Sequence, residues 1–264
     1  MPSTGGTRLI ELKGVRKSYD GGKSYAVAGA SFTVERGEFL GLIGESGCGK
    51  TTTLKMINRL EEPTAGSVFV NGQNVREQNP EQLRRNIGYV FQGIGLFPHR
   101  TVVQNVAAVP ELLGWDPDRI QARCEQILSM VGLPLEDYGA RVPGQLSGGQ
   151  QQRVGVARAL AAESEVVLMD EPFGALDPIT RVELQEEFKR IQQELNLTVV
   201  MVTHDMTEAL LLADRIAVMK NGEILQIGTP HELLNNPQHD YVKKIVDMPK
   251  RRADRLEEIM RGHS

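Results

Sequence analysis

The sequence predicts an α/β fold with a mainly parallel sheet. Apolar segments of strand length alternate along the chain with helical segments, which is the order expected of βα units. A glycine-rich loop separates an apolar strand at residues 38–43 from a helix at 50–60. From residue 98 onward the pattern changes, because helices are expected at 102–109 and 117–131 with no strand between them. We therefore predict a helical subdomain of about residues 98–146, inserted in an α/β core.

The other elements are predicted from the same periodicities. Short apolar or alternating segments indicate strands, and apolar positions three and four residues apart indicate helices. Asn221-Gly222 lies between two strand segments and favours a two-residue type I′ hairpin. Strands are expected at 7–15, 28–35, 38–43, 67–71, 87–91, 165–169, 198–202, 215–219 and 223–226, and helices at 50–60, 102–109, 117–131, 148–162, 179–195 and 206–213.

The composition is that of a globular protein without a strongly charged surface. Lys and Arg number 30 and Asp and Glu 34 in 264 residues, so the formal net charge is −4. This balance argues against nucleic acid as a partner, because nucleic-acid-binding proteins carry basic surfaces. Hydrophobic residues make up 40% of the chain, which is enough for a sizeable core.

The number of cysteines and the length of the apolar runs indicate in which cellular compartment the protein is expected. Cys48 and Cys124 are too few for a disulfide framework, which is typical of a reducing compartment. The sequence has no run near the ~18 apolar residues that span a membrane. Its first residues also lack the apolar core of a secretory signal. We expect a cytoplasmic location.

Residues 44–51 match the phosphate-binding pattern G-x-x-x-x-G-K-[ST] between a strand and a helix. Backbone N–H groups must approach phosphate oxygens here, so side chains are absent at Gly47 and Gly49. Lys50 supplies a cation for the β- and γ-phosphates, and the Thr51 hydroxyl can bind Mg²⁺. The nucleotide-binding residues expected in this loop are Gly44, Glu45, Ser46, Gly47, Cys48, Gly49, Lys50, Thr51 and Thr52.

Two carboxylates end the apolar strand at 165–169. Asp170 is placed to hold Mg²⁺ through its water shell. Glu171 is the candidate general base for an attacking water molecule. Together with the phosphate loop, which kinases, GTPases, helicases and transport ATPases share, this pair predicts a nucleotide-hydrolysing site that uses Mg²⁺.

A third segment, residues 146–150, has a serine and two glycines at the start of a helix, which makes a second anion-binding helix N-terminus. Its sequence is Leu146-Ser147-Gly148-Gly149-Gln150. With this segment, the chain resembles the nucleotide-binding subunit of ATP-binding-cassette (ABC) transporters, whose signature is LSGGQ. The resemblance implies an ABC ATPase domain at 7–246 with an N-terminal antiparallel β-subdomain. A short charged tail at 247–264 would follow, as a solvated helix or frayed end or as a regulatory contact.

The resemblance also implies a site shared between two cassettes. In that family two copies pack head to tail, so Ser147 and Gly149 would contact the γ-phosphate held by a second copy. Asp177, within the sequence Ala175-Leu176-Asp177, would reach across the same dimer. We expect a homodimer.

Three further positions match functional residues of the family. Gln92 would bind Mg²⁺ and respond to the membrane partner, and His204 would contact the γ-phosphate and position water. Tyr19 occupies the place of the aromatic residue that stacks on adenine, although Tyr25 lies near enough to take that role.

Within the family, the chain is most similar to importer cassettes for osmoprotectants such as glycine betaine, choline and carnitine. The segments that carry this similarity are 56–60, 94–99, 109–113 and 173–181. The resemblance implies an ATPase on the inner face of the membrane, with permease subunits and an extracytoplasmic solute-binding protein as partners. Methionine and polar amino-acid importers share several of these segments. An exporter cassette is the nearest rival. A soluble ABC ATPase would need two cassettes or long coiled coils, and a non-catalytic cassette would lack Glu171 or His204, whereas both residues are present.

Two smaller questions stay open on the sequence alone. Leu96, Phe97, Leu113 and Trp115 are candidates for the surface that receives the permease, but they can equally pack within the helical subdomain. Cys48 is interpreted as a small side chain in the phosphate loop, with a redox role as the alternative.

Many osmoprotectant cassettes carry CBS regulatory domains after the cassette, and the chain ends too soon for them. This departure from the family pattern puts intrinsic osmotic sensing in doubt, but not the ATPase.

Overall fold

Two β-sheets organise the computed structural model of the chain, which describes residues 7–93 and 95–260. The first is a six-stranded, mainly parallel sheet, and the second is a four-stranded antiparallel sheet. The strands are β1 (Arg8–Lys17), β2 (Val27–Glu35), β3 (Phe39–Ile43), β4 (Ala65–Val70), β5 (Gln73–Asn74), β6 (Ile87–Val90), β7 (Val166–Asp170), β8 (Thr198–Thr203), β9 (Arg215–Lys220) and β10 (Glu223–Gly228).

Helices connect these strands. They are α1 (Lys50–Ile57), α2 (Pro80–Arg85), α3 (Val102–Leu112), α4 (Pro117–Met130), α5 (Leu135–Tyr138), α6 (Gly148–Leu160), α7 (Pro178–Glu194), α8 (Met206–Leu212), α9 (Pro230–Asn235) and α10 (Asp240–Met260), with a 3-10 turn at Pro143–Gln145. Two of the sequence-based predictions fall partly outside the described residues. One is the segment at 94–99, of which Ile94 is not described, and the other is the predicted tail, of which residues 261–264 are not described.

The six-stranded sheet has the order β10-β9-β3-β8-β7-β6. Five of its strands are parallel, and only β10 pairs antiparallel, through the hairpin with β9. The antiparallel sheet has the order β2-β1-β4-β5. The predicted α/β class, the mainly parallel core sheet and the antiparallel β-subdomain are confirmed.

Both faces of the six-stranded sheet are covered, which explains why its strands are nearly continuous apolar runs. Side chains alternate across the sheet, so Val199 and Met201 of β8 belong to one core cluster and Val200 and Val202 to the other. The first cluster packs under helices α3, α4, α6, α7 and α8. The second lies between the six-stranded sheet, α1 and the antiparallel sheet.

The segment between β6 and β7 is helical in its described residues, as the sequence predicts. Apolar side chains of α3, α4 and α6 form a common core with the sheet, including Val106, Ile127 and Val154. Bounds of 98–146 for a separate helical subdomain stay a prediction, because α6 belongs both to this helical packing and to the surface against β6.

Two helix ends lie three residues from their predicted positions, and the other predicted helix ends differ by two residues or fewer. The helix expected to stop at Val109 continues through Pro110 to Leu112. Near a helix C-terminus the missing proline N–H removes a single hydrogen bond, so the last turn still forms. The helix expected at 50–60 ends at Ile57, and Arg59 takes a left-handed conformation with φ of 57°.

Asn-Gly pairs make both short hairpins. Asn221 and Gly222 have φ of 50° and 81°, as the predicted type I′ turn requires. Asn71 and Gly72 have φ of 52° and 74° and join β4 to β5, a hairpin that the sequence analysis missed. The signal was the same dipeptide, but β5 has only two residues and no periodicity to detect.

The C-terminal helix α10 runs from Asp240 to Met260. It passes without interruption through residue 246, so the proposed division into 7–246 and 247–264 does not coincide with an element boundary and stays a prediction. Val242 and Val246 are buried in the first core cluster, which anchors the first half of the helix. Within the described residues, none of the helices has the length and apolarity needed to cross a membrane.

Gly88 is a point of close contact between sheet and helix. A Cβ atom on Gly88 would lie 2.4 Å from the carbonyl oxygen of Ala159 in α6. We expect Gly88→Ala to lower the free energy of unfolding by about 1–3 kcal/mol, because β6 and α6 must move apart. Urea unfolding at equilibrium measures this change. Gly144→Ala is the matched control, since its Cβ would meet no atom within 4 Å. An unchanged midpoint for Gly88→Ala would contradict the packing described.

Candidate functional site

Four neighbouring strands end at one edge of the parallel sheet, and a predicted site residue follows each of them. In the register, Ile43 at the end of β3 pairs with Thr203 of β8, and Val202 of β8 pairs with Asp170 of β7. β6 pairs with β7 in the same direction. The residues that follow these ends are the phosphate loop after β3, His204 after β8, Glu171 after β7 and Gln92 after β6.

The phosphate loop closes around the ammonium group of Lys50. This residue is 5% exposed, and its Nζ donates to the carbonyl oxygens of Gly44 at 2.8 Å and Glu45 at 2.9 Å. Sγ of Cys48 lies 3.9 Å from Nζ. In the described part of the chain, Lys50 makes no ion pair with a carboxylate. A buried cation without a counter-ion favours an anionic ligand.

Close backbone contacts explain two glycines of the loop. A Cβ on Gly49 would lie 2.2 Å from the carbonyl oxygen of Ala26, and its φ of 103° is unfavourable for other residues. A Cβ on Gly44 would lie 2.1 Å from the carbonyl oxygen of Met219. The β9–β10 hairpin also supports the loop, since the N–H of Gly222 donates to the carbonyl of Cys48 at 3.0 Å.

Helix α1, which begins at Lys50, has no side-chain N-cap and no acidic residue in its first turn. By contrast, seven described helices have a capping side chain that accepts a backbone N–H: α2, α3, α4, α6, α7, α8 and α9. The first N–H groups of α1 therefore remain available, and the helix dipole adds a partial positive charge there. Such a terminus binds phosphate.

Thr51 and Asp170 form the polar contact between α1 and β7. The Thr51 hydroxyl donates to Asp170 Oδ1 at 2.8 Å. Burial raises the pKa of Asp170, and this hydrogen bond opposes the shift. Burial and the charge of Asp170 together raise the pKa of Tyr89 in β6. A buried carboxylate beside a hydroxyl is a set of hard oxygen donors that suits Mg²⁺.

The described residues contain no cluster of three His, Cys, Asp or Glu side chains able to hold a metal ion alone. Mg²⁺ keeps several waters and is usually held by one or two protein ligands together with substrate phosphates, and Thr51 and Asp170 supply two oxygen donors. Thr51 and Asp170 therefore fit Mg²⁺ that arrives with a nucleotide.

Glu171 lies at the centre of the site. Its Oε2 accepts a hydrogen bond from the Gln92 side-chain amide at 3.2 Å, and His204 Nδ1 lies 3.3 Å from the same oxygen. Its backbone has φ of 45°, although its N–H still donates to the carbonyl of Val202 at 2.9 Å. A non-glycine residue at positive φ is strained, and such strain clusters at functional sites. The structure thus brings together Gln92, Glu171 and His204, which are far apart in sequence.

The predicted signature residues form a second cluster. Ser147 caps α6: its hydroxyl accepts from the Gln150 N–H at 3.2 Å, and the Gln150 side chain accepts from the Ser147 N–H at 2.9 Å. Leu146 is buried, whereas Ser147 and Gly148 are exposed. Within the described residues, no hydrogen bond joins this cluster to the phosphate loop.

Asp177 belongs to the second cluster. It caps α7, accepting from the Thr180 N–H at 3.1 Å, and its contacts with Thr180 lower its pKa. A Cβ on Gly149 would lie 2.4 Å from Cγ2 of Thr180, so the starts of α6 and α7 touch. One chain thus presents two separate clusters of predicted site residues.

The two candidate adenine-stacking residues are both accessible. Tyr19 is 63% exposed, with the ammonium of Lys17 4.7 Å from its ring centre. Tyr25 is 41% exposed and directly precedes Ala26, whose carbonyl contacts the phosphate loop. Stacking of Tyr19 on adenine therefore stays a prediction, with Tyr25 as the alternative.

Tyr241 contacts the phosphate loop, which the sequence analysis missed. Its hydroxyl accepts a hydrogen bond from the Glu45 N–H at 3.2 Å, and the ammonium of Lys220 lies 4.4 Å from its ring centre. Burial raises the pKa of Tyr241. A cleft of about 400 Å³ lies beside it, between α10, the phosphate loop and the His204 loop. No local motif marks a tyrosine almost 200 residues from its partner, because only packing brings α10 there.

The phosphate loop also buries Cys48, which is 6% exposed. Burial raises the pKa of Cys48, so the reactive thiolate is disfavoured. The structure therefore supports the interpretation of Cys48 as a small packing residue.

The four candidates for the permease-binding surface, Leu96, Phe97, Leu113 and Trp115, are half-buried or exposed, and their role stays a prediction. Phe97 is 42% exposed, with the guanidinium groups of Arg100 and Arg158 5.2 and 5.7 Å from its ring centre. Leu96 packs partly against the core. Trp115 lines a cleft between α3 and α4, and the Arg119 guanidinium lies over its ring. A groove missed by sequence analysis lies beside β6, with Leu60, Tyr89, Phe91 and Val109 among its lining residues.

The sequence of the chain is similar to those of known ATP-binding proteins. The model of the ABC transporter family matches residues 27–174. The chain is 56% identical over 238 residues to the glycine betaine/carnitine/choline transport ATP-binding protein OpuCA of Bacillus subtilis (strain 168), which covers 90% of this chain and 62% of that protein. It is 49% identical over 236 residues to the glycine betaine uptake system ATP-binding protein YehX of Escherichia coli (strain K12), covering 89% and 76%. The chain thus spans about three fifths of the length of OpuCA.

A solved structure has the same fold. The dimeric post-hydrolysis state of the ATP-binding cassette MJ0796, bound to ADP and Pi, superposes with a TM-score of 0.74 at 34% identity. The match covers 84% of this chain and 99% of that chain.

Proposed function

Because the chain belongs to the ABC transporter family, we propose that it is the ATP-hydrolysing subunit of an importer for osmoprotectants such as glycine betaine, choline or carnitine. The observation that carries the hydrolytic part is the contact of Glu171 with both Gln92 and His204, beside a phosphate loop. The observation that carries the solute class is the similarity to OpuCA and YehX, whose names state transport or uptake of these compounds.

Nucleotide binding rests on the phosphate loop and the start of α1. The N–H groups of the loop and of the uncapped helix would hold the phosphate oxygens, and the Lys50 ammonium would neutralise the β- and γ-phosphates. Tyr19 would stack on the adenine ring. Mg²⁺, when bound with ATP, neutralises charge on the phosphates; Thr51 and Asp170 would hold it, with Gln92 as a further ligand.

Glu171 would act as the general base. It would take a proton from a water molecule while the water oxygen forms a bond to the γ-phosphorus and the bond to the bridging oxygen breaks, leaving ADP and phosphate. Gln92 and His204 contact the same carboxylate oxygen, so they hold Glu171 in one orientation. His204 is 62% exposed, which leaves its ring accessible to the γ-phosphate.

A second copy of the chain would complete the site. Ser147 and Gly148 are exposed, Gly149 is half-buried, and no described hydrogen bond joins them to the phosphate loop of their own chain. Helix α6 has no acidic residue in its first turn. Its helix terminus can therefore face a γ-phosphate bound by another subunit, with Asp177 beside it. MJ0796, which has this fold, is dimeric in its ADP-bound structure.

The groove beside β6 is suited to a permease. Phe91 is 45% and Leu60 44% exposed, and both line this groove next to Gln92. An apolar segment of a membrane subunit seated there would contact the strand that carries Gln92. We therefore place the chain on the inner face of the membrane, bound to permease subunits that receive solute from an extracytoplasmic binding protein.

Glu171→Gln is expected to abolish ATP turnover and to retain ATP binding. The amide keeps the size of the side chain but cannot accept the proton, and general base catalysis typically contributes about 10²–10⁴-fold. Phosphate release and the binding of a fluorescent ATP analogue measure the two effects. Glu186→Gln, which alters an exposed glutamate of α7, is the control. Normal hydrolysis by Glu171→Gln would remove Glu171 from the base role.

The shared site predicts complementation between two inactive variants. Ser147→Arg blocks the signature surface and Lys50→Ala the phosphate loop, so a mixed dimer of the two has one intact composite site. We expect its ATPase activity to exceed that of either parent. A mixed dimer of wild type with the Ser147→Arg, Lys50→Ala double variant has no intact composite site and should be inactive. Activity in the second dimer and none in the first would show that each subunit uses its own signature.

Solute-stimulated ATPase activity tests the transport role. The chain, assembled with its permease and binding protein in proteoliposomes, is expected to hydrolyse ATP several-fold faster when labelled glycine betaine, choline or carnitine is present and imported. Methionine and polar amino acids are the controls. Stimulation by one of these amino acids alone would overturn the solute class and leave the ATPase assignment intact.

A further inference from the structure

A buried carboxylate lies directly behind the loop that carries His204. Glu208 of α8 is 6% exposed. Its Oε2 accepts a hydrogen bond from the Thr203 hydroxyl at 2.5 Å, and its Oε1 accepts one from the Gln185 side-chain amide at 3.0 Å. Thr203 and Gln185 are themselves buried, so all three side chains depend on one another for hydrogen bonding.

This network fixes the residues on both sides of His204. The Thr203 hydroxyl, held by Glu208, also accepts from the N–H of Asp205 at 3.0 Å. Asp205 in turn caps α8 by accepting from the Thr207 N–H at 2.8 Å. His204 is mostly exposed and has little packing of its own. The direction of its ring toward Glu171 therefore depends on the two loop ends together with the contact of Nδ1 with Glu171.

The same network reaches the segment that contains Asp177. Gln185 and Arg181 both belong to α7, the helix that Asp177 caps. Nη2 of Arg181 donates to the carbonyl of Leu176 at 3.0 Å, and its Nε is buried without a hydrogen-bond partner. Arg181 and Glu208 line a cavity of about 30 Å³ together with Glu171. This polar cavity has room for one water molecule.

We propose that Glu208 is a positioning residue for ATP hydrolysis, a role that rests on the proposed function. Through Thr203 it holds His204 toward Glu171, and through Gln185 it ties the His204 loop to α7. A shift of the Asp177 segment on contact with a second copy would then be transmitted to His204. Glu208 does not touch the nucleotide in this scheme and acts only through its neighbours.

The first experiment separates catalysis from binding. Glu208→Ala and Gln185→Leu are expected to lower kcat for ATP by about 10-fold or more, because small misplacement of a catalytic group is costly. The KM for ATP should change by less than about threefold, since KM follows substrate binding and the phosphate loop is untouched. The double variant Thr203→Val, Glu208→Ala should be no slower than Glu208→Ala, because both changes break one network.

Two variants distinguish positioning from general stability. Gln192→Leu is the matched control: Gln192 is also buried in α7, but its amide donates to the carbonyls of Gly37 and Leu197, away from the site. It should lower Tm as Gln185→Leu does and leave kcat unchanged. Glu208→Gln keeps an acceptor for Thr203 and should restore kcat to within about twofold of wild type. Equal losses of kcat in Gln185→Leu and Gln192→Leu, or equal losses in Glu208→Gln and Glu208→Ala, overturn the proposal.

A spectroscopic measurement tests the role without ATPase activity. The chain has five histidines, and His204→Gln identifies the imidazole NMR signal of His204. Glu208→Ala should shift or broaden that signal, and Gln192→Leu should not. An unmoved His204 signal in Glu208→Ala overturns the proposal. If wild type hydrolyses no ATP, the proposed function fails, but a displaced His204 signal would still support the positioning by Glu208.

Discussion

The parallel register of four neighbouring strands is the constraint on which the site depends. β3, β8, β7 and β6 lie side by side and run in the same direction, so their carboxyl ends meet at one edge of the sheet. This edge places Lys50, Gln92, Glu171 and His204 in one region. A slip of one residue in any pair would turn the buried apolar side chains of that strand to the opposite face, so the two cores fix the register and with it the site.

The site contains two buried charged side chains, Lys50 and Asp170, and neither forms an ion pair within the described residues. Lys50 is held by carbonyl oxygens, and Asp170 is buried with one hydroxyl donor from Thr51. Burial of charged groups is costly unless they are paired. In the proposed function, a nucleotide phosphate with its divalent cation would supply a partner to both groups at once. The features that reduce the stability of the free chain are thus those that favour its ligand.

Helix α7 connects the two functional surfaces of the chain. Its first turn touches the start of α6 through Thr180 and Gly149, and its next turns donate to Leu176 and Glu208. The surface expected to meet a second copy and the loop that carries His204 therefore belong to one hydrogen-bonded unit. Rigid helices transmit displacements between sites in this way when both ends are held by specific contacts.

The α/β class can be predicted from the sequence, and so can the phosphate loop, the acidic strand end and the signature segment. These features are local, because each is a short run of residue types whose chemistry requires that spacing. Packing in three dimensions, by contrast, produces the contact of Tyr241 with the phosphate loop and the network behind Thr203. It also kept the signature apart from the phosphate loop of the same chain. Such contacts join residues far apart in sequence, and only the packing of sheet and helices determines which side chains meet.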